Sequence, residues 1–273
     1  MKIKIRSFNE ITLKQKLENT LSYDNYSLFL DTVVESENEL SDINILVLQE
    51  PNEYFHFHDY AILNKNYFNI ILTWSDRVLN NCENATYLPV GTTWMKEDQY
   101  TKNHEKKFQV THLSGKLLKT YGHSLRHELI ARKDEIKNIP LNFHDIYGDR
   151  YNIEEARVGK EELFSPSQFG VAIENINARG WFTEKLLDCF LLKTIPIYWG
   201  CPNIGDFFNR DGIIHVENVD DIIYKLNNIE ELYGYYEDYK EVIEENYQLA
   251  LQYVDYEQCI SNKLNEIFKY NNL

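Results

Sequence analysis

The chain lacks most of the features that assign a protein quickly. It has four cysteines in 273 residues, Cys82, Cys189, Cys201 and Cys259, widely spaced and without a CxxC pair. That spacing excludes a disulfide scaffold and reads as buried thiols of a reducing compartment. No apolar run approaches the roughly 18 residues of a membrane-spanning helix. The opening MKIKIRSFNEITLKQK has basic residues but no apolar h-region, so it is not a signal peptide. The expectation is a soluble, cytoplasmic chain with no integral membrane segment. Positive charge is scarce: Lys and Arg number 28 against 43 Asp and Glu, a net charge of −15. This argues against nucleic acid or an anionic membrane as the main partner. There is no GxGxxG, no Walker motif and no HExxH. His56-Phe57-His58-Asp59 and His123 with His127-Glu128 have ligand-like spacing, but neither has a third strong ligand nearby. No metal site is expected.

What is present is an ordinary globular composition, 43% hydrophobic and 26% charged, in a length that suits two linked domains. Apolar runs at 2–6, at Ile43–Leu48 (INILVL), at 59–63, at 70–74 and at 87–90 predict strands. Short helices are predicted at 10–20 and 26–37, with a helix start near Ser75-Asp76. The polar stretch 96–107 is the best linker. The division is therefore 1–103 for a first α/β domain and 104–273 for a second with terminal helices. Phe108 to Leu113 opens the second series, a helix follows at about 121–136, and 141–168 reads as a connection. Residues 218–270 are helical, with Tyr, Val, Ile and Leu at helical spacing.

Residues 169–200, FGVAIENINARGWFTEKLLDCFLLKTIPIYWG, are the most informative. A strand from Phe169 to Ile173 ends in Glu174-Asn175. A loop with Gly180 leads into Thr183-Glu184-Lys185, the start of an amphipathic helix that stops near Lys193. A second strand, Ile195 to Trp199, closes on Gly200. The two strands should be parallel. In such sheets ligands bind beyond the carboxyl ends of the strands, where Glu174, Asn175, the 180–185 segment and Gly200 all fall. Lys185 faces the positive end of its helix dipole, an unfavourable place; either an anion is held there or the side chain points to solvent and pairs with a nearby acid. A second basic stretch runs from Ser114 to Lys133, where Lys116, Lys119, Arg126, Arg132 and Lys133 stand against Glu128 alone. It is either one face of a surface helix or a clamp for phosphate.

Glu174-Asn175, Trp181-Phe182-Thr183-Glu184-Lys185 and Ile195-Pro196-Ile197-Tyr198-Trp199-Gly200 together resemble the donor-binding block of glycosyltransferase family 10, the inverting α-1,3/1,4-fucosyltransferases that use GDP-fucose. Pro202-Asn203-Ile204, Phe207-Phe208 and Gly212-Ile213-Ile214 continue the resemblance, which covers roughly residues 165–216. It implies a GT-B architecture, two Rossmann-type domains facing across a cleft, of the kind seen in soluble bacterial or viral members. It implies that Lys185 and Arg126 contact the donor diphosphate, Glu184 the ribose hydroxyls and Asn175 another part of the donor. Trp181 stands where the family commonly has a tyrosine near the sugar and phosphates, and its ring has no hydroxyl to offer.

An inverting transferase needs a base for the acceptor hydroxyl. The family places a glutamate just after a strand of the N-terminal domain, and Glu50, ending INILVLQEP, corresponds. Asp59 is the fallback. The expected partners are GDP-fucose or a related nucleotide sugar and an oligosaccharide acceptor. No cofactor or essential metal is implied, since cationic side chains do the ion's work. Two other readings fit the residues: the same fold with another nucleotide sugar, and a binding protein that keeps Asn175, Glu184 and Lys185 but lacks a working base.

Overall fold

In a computed structural model the chain is described at residues 2–5, 25–146, 153–228 and 232–271. The helix expected at 10–20 lies outside these. The described residues form two compact units. The first comprises 1–90, 179–181 and 255–273, and the second 91–178 and 182–254. The sequence division at 103/104 differs on two counts: the break falls at 90/91, and the terminal helix returns to the first unit.

The first unit is a five-stranded sheet in the order β1 (Lys2–Ile5), β2 (Tyr26–Leu30), β3 (Ile43–Leu48), β4 (Ile70–Thr73), β5 (Ala85–Tyr87). Every neighbouring pair is parallel. Three expectations are corrected here. Residues 26–30 are a strand, not the start of a helix; all five are buried, so the strand shows no alternation that would betray it. Residues 59–63 are helical, within α2 (Phe57–Leu63), which follows α1 (Asn52–Phe55). The Asn52 side-chain oxygen accepts from the His58 and Asp59 amides and so caps α2, a contact that apolar spacing cannot show. The strand expected at 87–90 is instead Ala85–Tyr87. After β4, Ser75 precedes the short α3 (Asp76–Leu79), as expected. The terminal helix α11 (Tyr256–Asn271) covers this sheet with Tyr256, Ile260, Leu264 and Phe268, one every four residues.

The second unit is a parallel sheet in the order β10 (Ile214–His215), β9 (Ile195–Trp199), β8 (Ser167–Ile173), β6 (Lys107–Gly115), β7 (Leu141–Ile146). A short helix α4 (Glu97–Tyr100) precedes it. The expected strand–helix–strand unit is present as β8, α7 (Glu184–Leu191) and β9, with Ile173 paired to Trp199. The stretch 141–168 is more than a connection. It holds β7 and the helix α6 (Ile153–Phe164). Phe169, Val171, Ile173, Ile195, Ile197 and Trp199 face one way, against α5 (Tyr121–Ala131) and α8 (Val219–Asn227). Ala172 and Tyr198 face the other, against α7 and α10 (Lys240–Ala250). The short α9 (Tyr235–Asp238) lies between α8 and α10 in the chain. Helices on both faces of a parallel sheet leave its carboxyl edge as the open ligand edge. Among the described residues no helix is long and apolar enough to cross a membrane, and no disulfide forms.

Candidate functional site

The carboxyl end of β8 is where the second unit concentrates its polar chemistry. Glu174 is fully buried there. Its two oxygens accept from the Thr183 amide at 2.8 Å and the Thr183 hydroxyl at 2.7 Å. Thr183 is in turn the N-cap of α7, accepting from the Lys185 amide. Glu174 thus pins the start of α7 to the end of β8. Burial raises its pKa, and Lys185, with Nζ at 3.8 Å, and the Thr183 hydrogen bonds oppose that rise. Gly200 passes so close over this carboxylate that a Cβ there would lie 2.5 Å from Glu174 Cγ and from Tyr198 Oη. Only glycine fits.

Lys185 lies one residue into the helix and is one-fifth exposed. Its ammonium donates to Glu184 Oε1 at 3.0 Å and Thr183 Oγ1 at 3.2 Å. Burial alone would raise the Glu184 carboxyl, but Lys185 and Lys160 outweigh it and hold the group down to about 2. Lys160 reaches this region from α6. It pairs with Asp188 at 2.5 Å, both side chains buried. Asp188 is one helical turn beyond Glu184 and also accepts from the Thr93 hydroxyl. Lys160 further sits 4.5 Å from the Trp94 ring centroid. Burial disfavours the Lys160 charge, yet the adjacent Asp188 carboxylate keeps its pKa above the ordinary lysine value.

A second helix start meets the same strand end. The Gly122 amide, in the first turn of α5, donates to the Asn175 carbonyl at 3.1 Å. A Cβ on Gly122 would fall 1.8 Å from the Glu174 carbonyl oxygen, so this approach requires glycine. Arg126 is buried; its guanidinium folds back to the Gly122 carbonyl and donates to Asn175 Oδ1. His123 accepts at Nδ1 from the Thr120 amide, which leaves its proton on Nε2. Burial and then Arg126 and Lys185 pull His123 down to about 4, so it is neutral. The basic stretch divides. Arg126 turns to this cluster, while Arg132 is tied on the surface to Glu128, Glu135 and Asp220.

The structure therefore brings together Arg126, Glu174, Asn175, Thr183, Glu184, Lys185 and Gly200. Trp181 belongs to the first unit, 1% exposed and packed on Trp74 with ring centroids 5.7 Å apart. Glu50 is half-buried at the carboxyl edge of the first sheet, just past β3. Asp59 bonds to Asn52 and pairs with Arg77, and both lower its pKa. His58 is buried against Trp74 and pulled by burial to about 4. Among the described residues no group of three His, Cys, Asp or Glu is placed to hold a metal. Lys160 and Asp188 are not marked by any motif in the sequence. Asp188, a lone acid inside the apolar run LLDCFLL, was the available signal.

Residues 100–267 match the model of glycosyltransferase family 10 (fucosyltransferase), C-terminal part. The chain is 30% identical over 96 residues to the alpha-(1,3)-fucosyltransferase FucT of Helicobacter pylori, covering 35% of this chain and 19% of that protein. A relative from Acanthamoeba polyphaga mimivirus is 25% identical over 219 residues, covering 76% of this chain and 34% of the relative. The chain thus spans only about a fifth to a third of the length of these two relatives. Among solved structures, an alpha1,3-fucosyltransferase with GDP-fucose superposes with a TM-score of 0.57 at 15% identity, over 97% of this chain and 90% of that one. HepE of Anabaena in complex with UDP-glucose gives 0.55 at 11% identity, over 84% and 72%. At such identities these structures establish the fold, an α/β arrangement of parallel sheets shared with GT-B glycosyltransferases. The family match covers more than half of the chain and includes every residue of the β8 cluster: the chain belongs to glycosyltransferase family 10, the fucosyltransferases.

Proposed function

We propose that the chain transfers fucose from GDP-fucose, with inversion, to a hydroxyl of a glycan acceptor. The observation that carries this reading is the meeting of two helix starts, α5 and α7, with Arg126 and Lys185 at the end of β8. Two helix starts, a guanidinium and an ammonium at one strand end suit a diphosphate. Arg126 bonds phosphate oxygens with its fork, and Lys185 meets them as a point charge. The Nε2 proton of His123 is a further donor. Glu184, ionised beside Lys185, accepts from the ribose hydroxyls, and Asn175 makes another donor contact. Glu174, Thr183 and Gly200 shape the floor beneath.

Glu50 takes the proton of the acceptor hydroxyl as its oxygen attacks the anomeric carbon. The C–O bond to the diphosphate breaks on the opposite face, and GDP leaves carrying the electron pair. Arg126, Lys185 and the helix starts stabilise the charge that develops on it. These cationic groups take the place of a divalent metal. Asp59 is the weaker candidate for the base, since Asn52 and Arg77 lower its proton affinity.

GDP-fucose is a β-glycoside, so inversion gives an α-fucoside. The test is NMR of the product from a glycan panel. An α-linked fucosyl product is expected. A β-linked product overturns the inverting reading, and transfer from UDP-glucose but not from GDP-fucose overturns the donor.

A further inference from the structure

We propose that Asp31, His58 and Trp181 are positioning residues that fix the end of β3 and hold Glu50 in one place. This rests on the reading of Glu50 as the base. The backbone groups of Gln49 and Glu50 are the next after the strand, and each is taken by a side chain. The Asp31 carboxylate accepts from the Gln49 amide at 2.9 Å with one oxygen and from the Glu50 amide at 3.0 Å with the other. The Gln49 carbonyl accepts from the indole N–H of Trp74 at 2.9 Å and from that of Trp181 at 3.4 Å. The Glu50 carbonyl accepts from His58 Nε2 at 3.1 Å.

All four side chains are buried, with Trp181 at 1% and His58 at 2% exposure. They come from four places in the chain. A loop usually gives such backbone groups to water; here two consecutive residues are held on both sides by buried groups. Asp31 adopts the left-handed conformation, φ 43°, at the end of β2. Its own amide still bonds Val47 in the ladder at 3.0 Å, so the turn begins only at this residue. Aspartate tolerates that region better than most residues, and both its oxygens are spent on Gln49 and Glu50. His58 is neutral, so its bond to Glu50 places no added charge beside the carboxylate.

Proton transfer tolerates little misplacement, on the order of 0.5 Å, and groups so constrained need a supporting layer. Trp181 is the most telling member. The family resemblance sets an aromatic residue at this position near the sugar and phosphates. In this chain the ring is buried, and its one polar group is spent on Gln49. Trp181 therefore acts through Glu50 and does not touch the donor.

The test uses the full chain with Trp181→Phe, which keeps a ring and removes the N–H, and Asp31→Asn, which removes one acceptor. GDP-fucose affinity is read by calorimetry and turnover by GDP release, with the glycan panel and with water as acceptor. Each variant should lower kcat by about 10- to 100-fold and leave the GDP-fucose Kd within about twofold. In a Glu50→Gln background neither should cost anything further. Amide exchange at Gln49 and Glu50 should quicken in both. Loss of about tenfold or more in donor affinity on Trp181→Phe, with kcat kept, restores it as a donor contact and overturns the proposal. Unchanged kcat or unchanged amide exchange also overturns it. If Asp31→Asn fails to fold, Trp181→Phe carries the same readings alone. Full transfer by Glu50→Gln by itself is a separate result, and it refutes the base reading while the exchange data still report on the clamp.

Discussion

The carboxyl edges of the two sheets are built by opposite means. At the first, side chains hold backbone: Asp31, His58, Trp74 and Trp181 fix Gln49 and Glu50 with uncharged donors and one buried carboxylate. At the second, charges hold charges: Glu174 and Glu184 hold Lys185, and Lys160 with Asp188 lies beneath them. One edge presents a carboxylate that must be placed accurately and left basic. The other presents cations and helix starts, which suit a leaving diphosphate. In the proposed reaction the division of labour is position on one sheet and electrostatics on the other.

The largest expected effect breaks the first edge alone. Glu50→Gln keeps shape and removes basicity, so transfer should fall by roughly 10²–10⁴ while donor affinity measured on the same sample stays near wild type. If transfer survives, another carboxylate is the base. At the second edge, Lys185→Ala should cost about 10²–10³ in kcat, as for other preorganised charges. Arg126→Lys should also be poorly tolerated, because a lysine cannot reproduce the fork. Wild-type turnover by both would show that neither stabilises the leaving diphosphate.

A third change sharpens the contrast in stability. Lys160→Met leaves Asp188 buried and unpaired and should cost about 3–5 kcal/mol. Lys160→Met combined with Asp188→Leu should recover most of it, read as the urea midpoint. A double variant no better than the single one would mean that the pair does not act as a unit. The smallest effect is a pH dependence shared by both edges. His58 and His123 are each pulled from 6.5 to about 4, mainly by burial. The unfolded chain therefore takes up protons near pH 6.5 that the folded chain refuses until about 4. Their contribution to stability is complete above about pH 6.5 and is lost as pH falls toward 4. The stability deficit of His58→Phe or His123→Gln at pH 7 should accordingly shrink across that window. A deficit that does not change with pH would show that the histidine titrates alike in both states.

Much of the second edge was legible in the sequence because its determinants are local. Thr183, Glu184 and Lys185 follow one another at a helix start, and Phe169 to Ile173 and Ile195 to Trp199 are short apolar runs. The resemblance then supplied Arg126, which lies 49 residues from Asn175 in the chain. The first edge was less legible. Strand β2 is buried at all five positions and reads equally well as a helix, which hid Asp31 at its end. Helix α2 is capped by the Asn52 side chain, and its short YAIL run passes for a strand. Lys160 and Asp188 stand 28 residues apart on separate helices, and no local pattern joins them. Trp181 stands out in the sequence, but its N–H is directed to Gln49, 132 residues away, and only the fold shows that.

In the proposed reaction the β8 cluster holds the diphosphate of a guanosine nucleotide sugar. Calorimetry of GDP-fucose and UDP-glucose with the wild-type chain and with Lys185→Ala tests it directly. The wild type should bind GDP-fucose in preference to UDP-glucose, and Lys185→Ala should weaken this binding by about tenfold or more. Preference for UDP-glucose, or GDP-fucose affinity unmoved by Lys185→Ala, would contradict it.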